Sequence, residues 1–133
     1  MSNILKAIRR LEGVRSLQPA TPAEVSEAEE ALGVCFADDY RAYVLTFGVI
    51  SARGVELTGV TDAPRLSVVN VTNRERGLHP DLPAHLYVVE NIAMEGVVAL
   101  QGEDGSVYLL APNGAPRYCC DSLAEYLEKA AER

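Results

Sequence analysis

Apolar positions in the first third of the chain recur at helical spacing. Ile4, Leu5, Ile8 and Leu11 share one side of the segment from Asn3 to Leu11, and Gly13 lies just beyond it, which predicts a short amphipathic helix. The next start is better marked. Thr21-Pro22-Ala23-Glu24 sets a hydroxyl at the N-cap, proline at the first helical position and glutamate at the third, a capping box. This predicts a helix to about Leu32, stopped by Gly33, with Val25, Ala28 and Leu32 inward and Glu24, Glu27, Glu29 and Glu30 toward water. A third helix is expected behind an Asp38 cap, with Tyr40, Tyr43, Val44 and Phe47 as its buried stripe and Gly48 at its end.

The period then shortens. "GVELTGV" (54–60) alternates like a strand. In "SVVNVTN" (67–73) two signals compete, since the β-branched valines favour a strand while the ends favour a helix. Ser67 can cap, Val68, Val71 and Thr72 fall on one helical face, Arg74 and Arg76 sit where the helix dipole favours cations, and Gly77 is placed to terminate. The ends decide for a short helix. "LHPDLPAH" is too rich in proline for a regular element. From His85 onward "HLYVVEN", "GVVALQ", "SVYLLA" and "PRYCC" read as four strands, separated by "IAME", Glu103-Asp104-Gly105 and Pro112-Asn113-Gly114. Asp-Gly and Asn-Gly tolerate the backbone angles of tight hairpins, so neighbouring strands should be antiparallel. Asp121 or Ser122 then caps a last helix with Leu123, Tyr126 and Leu127 inward. The order predicts a single α+β domain, N-terminal helices packed on a mainly antiparallel sheet with a helix closing the chain.

Composition adds little to this fold and more to the class of function. At 133 residues and 48% hydrophobic, the chain has apolar content for one proper core without a metal or disulfide staple. Cys35, Cys119 and Cys120 are odd in number and two are adjacent, which suits buried or half-buried thiols in a reducing compartment. The N-terminus lacks the pattern of a signal peptide and no apolar run reaches the length of a membrane span, so a cytoplasmic protein is expected. Asn70-Val71-Thr72 is then a chance match to a glycosylation acceptor. The net charge of −7 argues against direct contact with a nucleic-acid backbone, which is bound by Lys and Arg. It favours a basic partner, or serves solubility alone.

Candidate chemistry is sparse. There is no G-x-S-x-G, and the two histidines, His79 and His85, share one polar loop where they are expected to face solvent. His79, Asp81 and His85 lack regular metal-ligand spacing, and Cys119-Cys120 lacks the two intervening residues of a thioredoxin-like motif. Gly102 to Ser106 is too acidic for a phosphate loop and too poor in oxygen ligands for a calcium loop. The reading is a non-enzyme with no cofactor and no metal. What remains is a polar, acidic set, Glu56, Asp62, Glu90, Asn91, Glu95, Glu103 and Asp104, at or near strand ends and loops of the sheet half. Binding residues collect in such places, and the set is the candidate partner face.

Four stretches carry a family resemblance. In "TPAEVSEAEEALGVCFADDYRAYVLTFG", Leu32-Gly33, Asp39-Tyr40 and Phe47-Gly48 stand at the marks of the SUKH superfamily, a Leu-Gly pair after a helix, an Asp-Tyr helix start and a terminal glycine. "GVELTGV" followed by "SVVNVTN" resembles the bacterial YobK-type members. "LYVVENIAMEGVVALQG", centred on Asn91 and Gly96, and Asp121-Ser122 before the closing helix extend the likeness over nearly the whole chain from about Thr21. Ala37 stands where the family usually has proline, Val49 where a second glycine is common, and tryptophan is absent.

The resemblance implies a SUKH domain acting as an immunity protein that binds and neutralises a cognate toxin, often a nuclease. It implies equally a second role, as an adaptor in cell-wall and stress signalling. For the first role the acidic set would face a basic toxin and occlude its groove. The chain is expected to act as a monomer or weak homodimer, with no membrane contact. The motif residues Gly33, Tyr40, Gly48 and Gly96 read as structural, and Ser67 and Asn70 as either a cap or a polar contact to a partner.

Overall fold

The computed structural model describes residues 4–92 and 96–132, and within them the fold is α+β, with five helices and two antiparallel sheets. The chain runs α1 (Ile4–Arg9), β1 (Arg15–Ser16), α2 (Pro22–Leu32), α3 (Asp38–Phe47), β2 (Ile50–Ala52), β3 (Val55–Glu56), α4 (Val68–Leu78), β4 (Tyr87–Ile92), β5 (Val97–Gln101), β6 (Val107–Leu110), β7 (Arg117–Cys120) and α5 (Leu123–Ala130). The four C-terminal strands form a meander in chain order. The turn expected at "IAME" lies, from Ala93 to Glu95, outside the described residues.

Local signals placed most helices. The capping box of α2 is closed on both sides, Glu24 N donating to Thr21 Oγ1 at 3.1 Å and Thr21 N donating to Glu24 Oε1 at 2.9 Å. Gly33 ends the helix in the left-handed conformation, and its N–H donates to the Glu29 and Glu30 carbonyls. Ser67 caps α4 and Ser122 caps α5. Two expectations fail. Ala37, not Asp38, is the N-cap of α3; alanine has no side-chain acceptor to cap with, and its own N–H donates to the Tyr87 hydroxyl at 2.9 Å. Gly77 does not end α4, which continues to Leu78 while Arg76 reaches out to the carbonyls of Leu32 and Ala84, both at 2.9 Å.

The strand expected over 54–60 is also revised. Only Val55–Glu56 belongs to a ladder there, and it pairs back on β2, which pairs in turn on β1. These strands have two or three residues, too few for alternation to register in sequence. Beyond β3 the chain bridges the two sheets: Leu57 pairs with Glu90, and Thr58 N donates to Val89 O at 2.8 Å. Gly59 lies against Gly48, and a Cβ on Gly59 would stand 1.9 Å from the Gly48 carbonyl oxygen. No side chain fits, which gives the second glycine of "GVELTGV" a steric cause, while the first, Gly54, has a positive φ of 81°.

The main core lies between α1, α3, α5 and the inner face of the meander, where Val89, Ala99, Val107 and Cys120 point. Phe36, Tyr40, Tyr43 and Tyr87 pack at its centre with ring centroids 4.8 to 5.5 Å apart. Their hydroxyls are all bonded. Thr58 Oγ1 donates to Val88 O at 2.7 Å, so Tyr40, 3.0 Å away, donates to Thr58; Tyr43 donates to Thr58 O at 2.7 Å; Tyr87 donates to Gln101 Oε1 at 2.8 Å. Burial holds all three tyrosines well above their ordinary pKa. A smaller cluster of Val71, Leu86, Val88, Val98, Leu100 and Leu110 joins the other face of the meander to α4.

Candidate protein-interaction surface

Carboxylates separate into two populations once the chain is folded. Asp39, the second residue of α3, turns inward: Oδ1 accepts from Gln101 Nε2 at 2.9 Å and Oδ2 from the Leu123 backbone N–H at 2.7 Å. One side chain therefore ties α3, β5 and the start of α5. Glu90 is 3% exposed, and this corrects its place on the partner face. Its Oε2 accepts from Glu56 N at 2.9 Å and its Oε1 from the Tyr126 hydroxyl, so it joins β3, β4 and α5. Glu90 falls on the inner face because its partner in the ladder is Ala99, a core residue. Its position near a strand end did not reveal this.

The other members of the set are dispersed. Glu56 is half-buried and ion-paired with Arg65, whose Nη2 donates to Oε2 at 3.1 Å. Asn91 is exposed beside Gly96 and Pro112, bordering a hollow that Glu75 and His79 also line. Glu103 and Asp104 are exposed at the β5–β6 hairpin, where Asp104 Oδ1 accepts from Ser106 N at 3.0 Å. Asp62 is exposed, and Glu95 lies outside the described residues.

Helix α2 supplies what the set lacks. Residues 21 to 39 contain Glu24, Glu27, Glu29, Glu30, Asp38 and Asp39 and no Lys or Arg. Glu29 is half-buried rather than turned to water: its Oε2 accepts from Phe36 N at 2.8 Å and from Arg41 Nη2 at 2.7 Å. On one side of α2, Glu24, Glu27 and Asp62 line a cleft of about 620 Å³ whose apolar part includes Leu17, Val60 and Val69. On the other, Glu30 and Glu103 border a hollow of about 520 Å³ that also includes Cys35 and His85. Neither is lined by Lys or Arg. Glu27, Glu30, Asp62 and Glu103 are exposed and have no ion-pair partner among the described residues. The run of acids without a base was the sequence signal for this flank, but helical patterning assigned those residues only to water.

His85 is exposed; His79, expected to face solvent, is half-buried with Nε2 3.6 Å from Glu75 Oε1, and the two histidines border different hollows. Cys35 is exposed, against the expectation of a buried or half-buried thiol, although Val34 and Phe36 on either side of it in the α2–α3 link are buried. Burial, followed by the neighbouring Cys119, pushes the Cys120 thiol up to about 12, which keeps it protonated at neutral pH and a poor nucleophile. No group of three or more His, Cys, Asp and Glu among the described residues is placed to hold a metal. No described helix is long and apolar enough to cross a membrane.

An acidic flank on a helix, two bridged antiparallel sheets and a closing helix define an α+β domain with a charged surface. The SUKH_5 family model, described as SMI1-KNR4 cell-wall, matches residues 1–132, and the chain belongs to this family. A crystal structure of a protein from Pseudomonas syringae pv. tomato superimposes with a TM-score of 0.78 over 100% of both chains at 16% identity, a likeness of fold. No protein of curated function matches the chain.

Proposed function

We propose that the protein is a non-catalytic immunity protein that neutralises a cognate bacterial toxin, a nuclease, by direct binding. Family membership is consistent with an immunity-type domain. The observation that carries the reading further is the acidic flank, where Glu27, Glu30, Asp62 and Glu103 carry negative charge around α2 with no cation lining either hollow. A nuclease carries a basic groove for phosphate, so such a flank is attracted to it and occupies the place of the nucleic acid. The centre of the face is α2, with Asp62 and Glu103 on its two sides; Asp104, beside Glu103, extends it. Glu56 is neutralised by Arg65 and Glu90 is interior, so both fall outside the face. The site of action is the cytoplasm, in keeping with three free thiols.

The test is co-purification with the product of the adjacent gene, followed by an affinity titration. A one-to-one complex with a basic toxin domain, in roughly the nanomolar range or tighter, is expected. Recovery with signalling proteins instead would replace immunity with the adaptor role. Reversing Glu27, Glu30, Asp62 and Glu103 to lysine should slow association about tenfold or more at low salt and flatten its salt dependence. Unchanged rates would remove the α2 flank from the interface.

A further inference from the structure

The sheet beside the last turn of α5 has the opposite chemistry. Ile92, Val97, Leu109, Cys119 and Ala130, together with Tyr126, line an open groove of about 490 Å³. Among the described residues no carboxylate lines it, although the chain carries a net charge of −7. Its two charged residues are Arg117 and Lys129, both exposed and neither ion-paired among the described residues. Arg41, Arg65 and Arg74, by contrast, each lie against a carboxylate. The tyrosine hydroxyls of the groove are engaged elsewhere, Tyr126 donating to Glu90 and Tyr118 to Asp121.

Ligand sites combine a mostly apolar wall with a few polar groups that fix orientation, in volumes of roughly 300 to 1,000 Å³. This groove meets that description, and both of its charged groups have one sign. We propose that it binds a small amphiphilic carboxylate, the apolar body lying against Val97, Leu109 and Ala130 and the anionic head on Arg117 and Lys129. The site is separate from the α2 flank and does not depend on the immunity reading. An anionic bilayer is disfavoured as the source of the ligand, because the whole molecule is acidic and would be repelled by the surface.

Sodium decanoate, kept below its micellar concentration, is the probe, added to the full chain carrying Cys35→Ser so that Cys119 is the accessible thiol. Binding is read from amide shifts and from the alkylation rate of Cys119. Expected are saturable one-to-one binding, shifts centred on Val97, Leu109 and Lys129, and slower alkylation of Cys119. Arg117→Glu with Lys129→Glu should weaken binding about tenfold, a loss of about 1.4 kcal/mol. Both residues are exposed, so an unchanged thermal midpoint will show that this variant folds. Decyltrimethylammonium should not bind. Absence of saturation, affinity indifferent to the charge reversal, or equal binding of the cationic amphiphile would each overturn the proposal.

Discussion

The seam between the two sheets and the flank around α2 use the same chemical group for opposite ends. In the interior, Glu90 at that seam and Asp39 between α3, β5 and α5 are buried, and both oxygens of each accept hydrogen bonds from backbone or side-chain donors on other elements. At the flank, Glu27, Glu30, Asp62 and Glu103 stand exposed with no ion-pair partner among the described residues. A carboxylate satisfied from within is a structural tie, and removing it leaves buried donors without partners. A carboxylate left to solvent contributes almost nothing to stability and is available to a partner. Charge and position in the chain do not distinguish the two; the hydrogen-bond partners do.

The comparison is broken most severely at the seam. Gly59→Ala would force a Cβ into the Gly48 carbonyl and should cost about 3 kcal/mol or more, measured by urea denaturation. Asp39→Ala orphans the Leu123 N–H and one N–H of Gln101 Nε2, whose other bond to the Gly105 carbonyl remains, and a loss on the order of 3 kcal/mol is expected. Glu90→Ala should fall in the same range. If either carboxylate variant keeps its unfolding midpoint, the description of these groups as ties is wrong.

Alkaline titration tests the tyrosines that pack beside the seam. Tyr40, Tyr43 and Tyr87 have folded pKa values raised by burial, so their neutral forms are favoured in the folded state. Their contribution is complete below the unfolded value near 10 and is lost as pH rises beyond it, because the unfolded chain gives up protons that the folded one keeps. Urea midpoints should be level from about pH 8 to 9 and fall steeply above about pH 10, by up to roughly 1.4 kcal/mol per tyrosine per pH unit. A flat profile through pH 11 would contradict their burial.

Smaller effects sharpen the other half of the comparison. Gly33→Ala strains a left-handed residue at the end of α2 and should cost about 1 kcal/mol without altering the flank's charge. Replacing Glu27, Glu30, Asp62 and Glu103 by lysine should shift stability by only about 0.5 kcal/mol per residue or less while changing association rates. A large loss of stability in that variant would mean that these side chains also hold the fold.

Legibility in sequence followed the range of the interactions. Thr21-Pro22-Ala23-Glu24 announced its capping box because the bonds span three residues. At the start of α3 the helix begins one residue earlier than Asp38 suggests, where the Ala37 N–H meets Tyr87, 50 positions away. Asp39 was read only as part of a motif, since its partners, Gln101 and Leu123, are 62 and 84 positions distant. Glu90 was placed on the surface for the same reason.

By itself the sequence determined the class of fold, the antiparallel meander and most helix boundaries, which rest on periodicity and short-range capping that act within a few residues; the SUKH likeness rests instead on motif residues such as Leu32-Gly33 and Asp39-Tyr40. Only the tertiary structure decided which carboxylates are ties and which are free to meet a partner. It alone joined the two sheets through Leu57 and Glu90, gathered acids from α2, the 60–62 loop and the β5–β6 hairpin onto one flank, and left Arg117 and Lys129 beside an apolar groove. Those outcomes depend on contacts between residues far apart in the chain, and such contacts have no local signature.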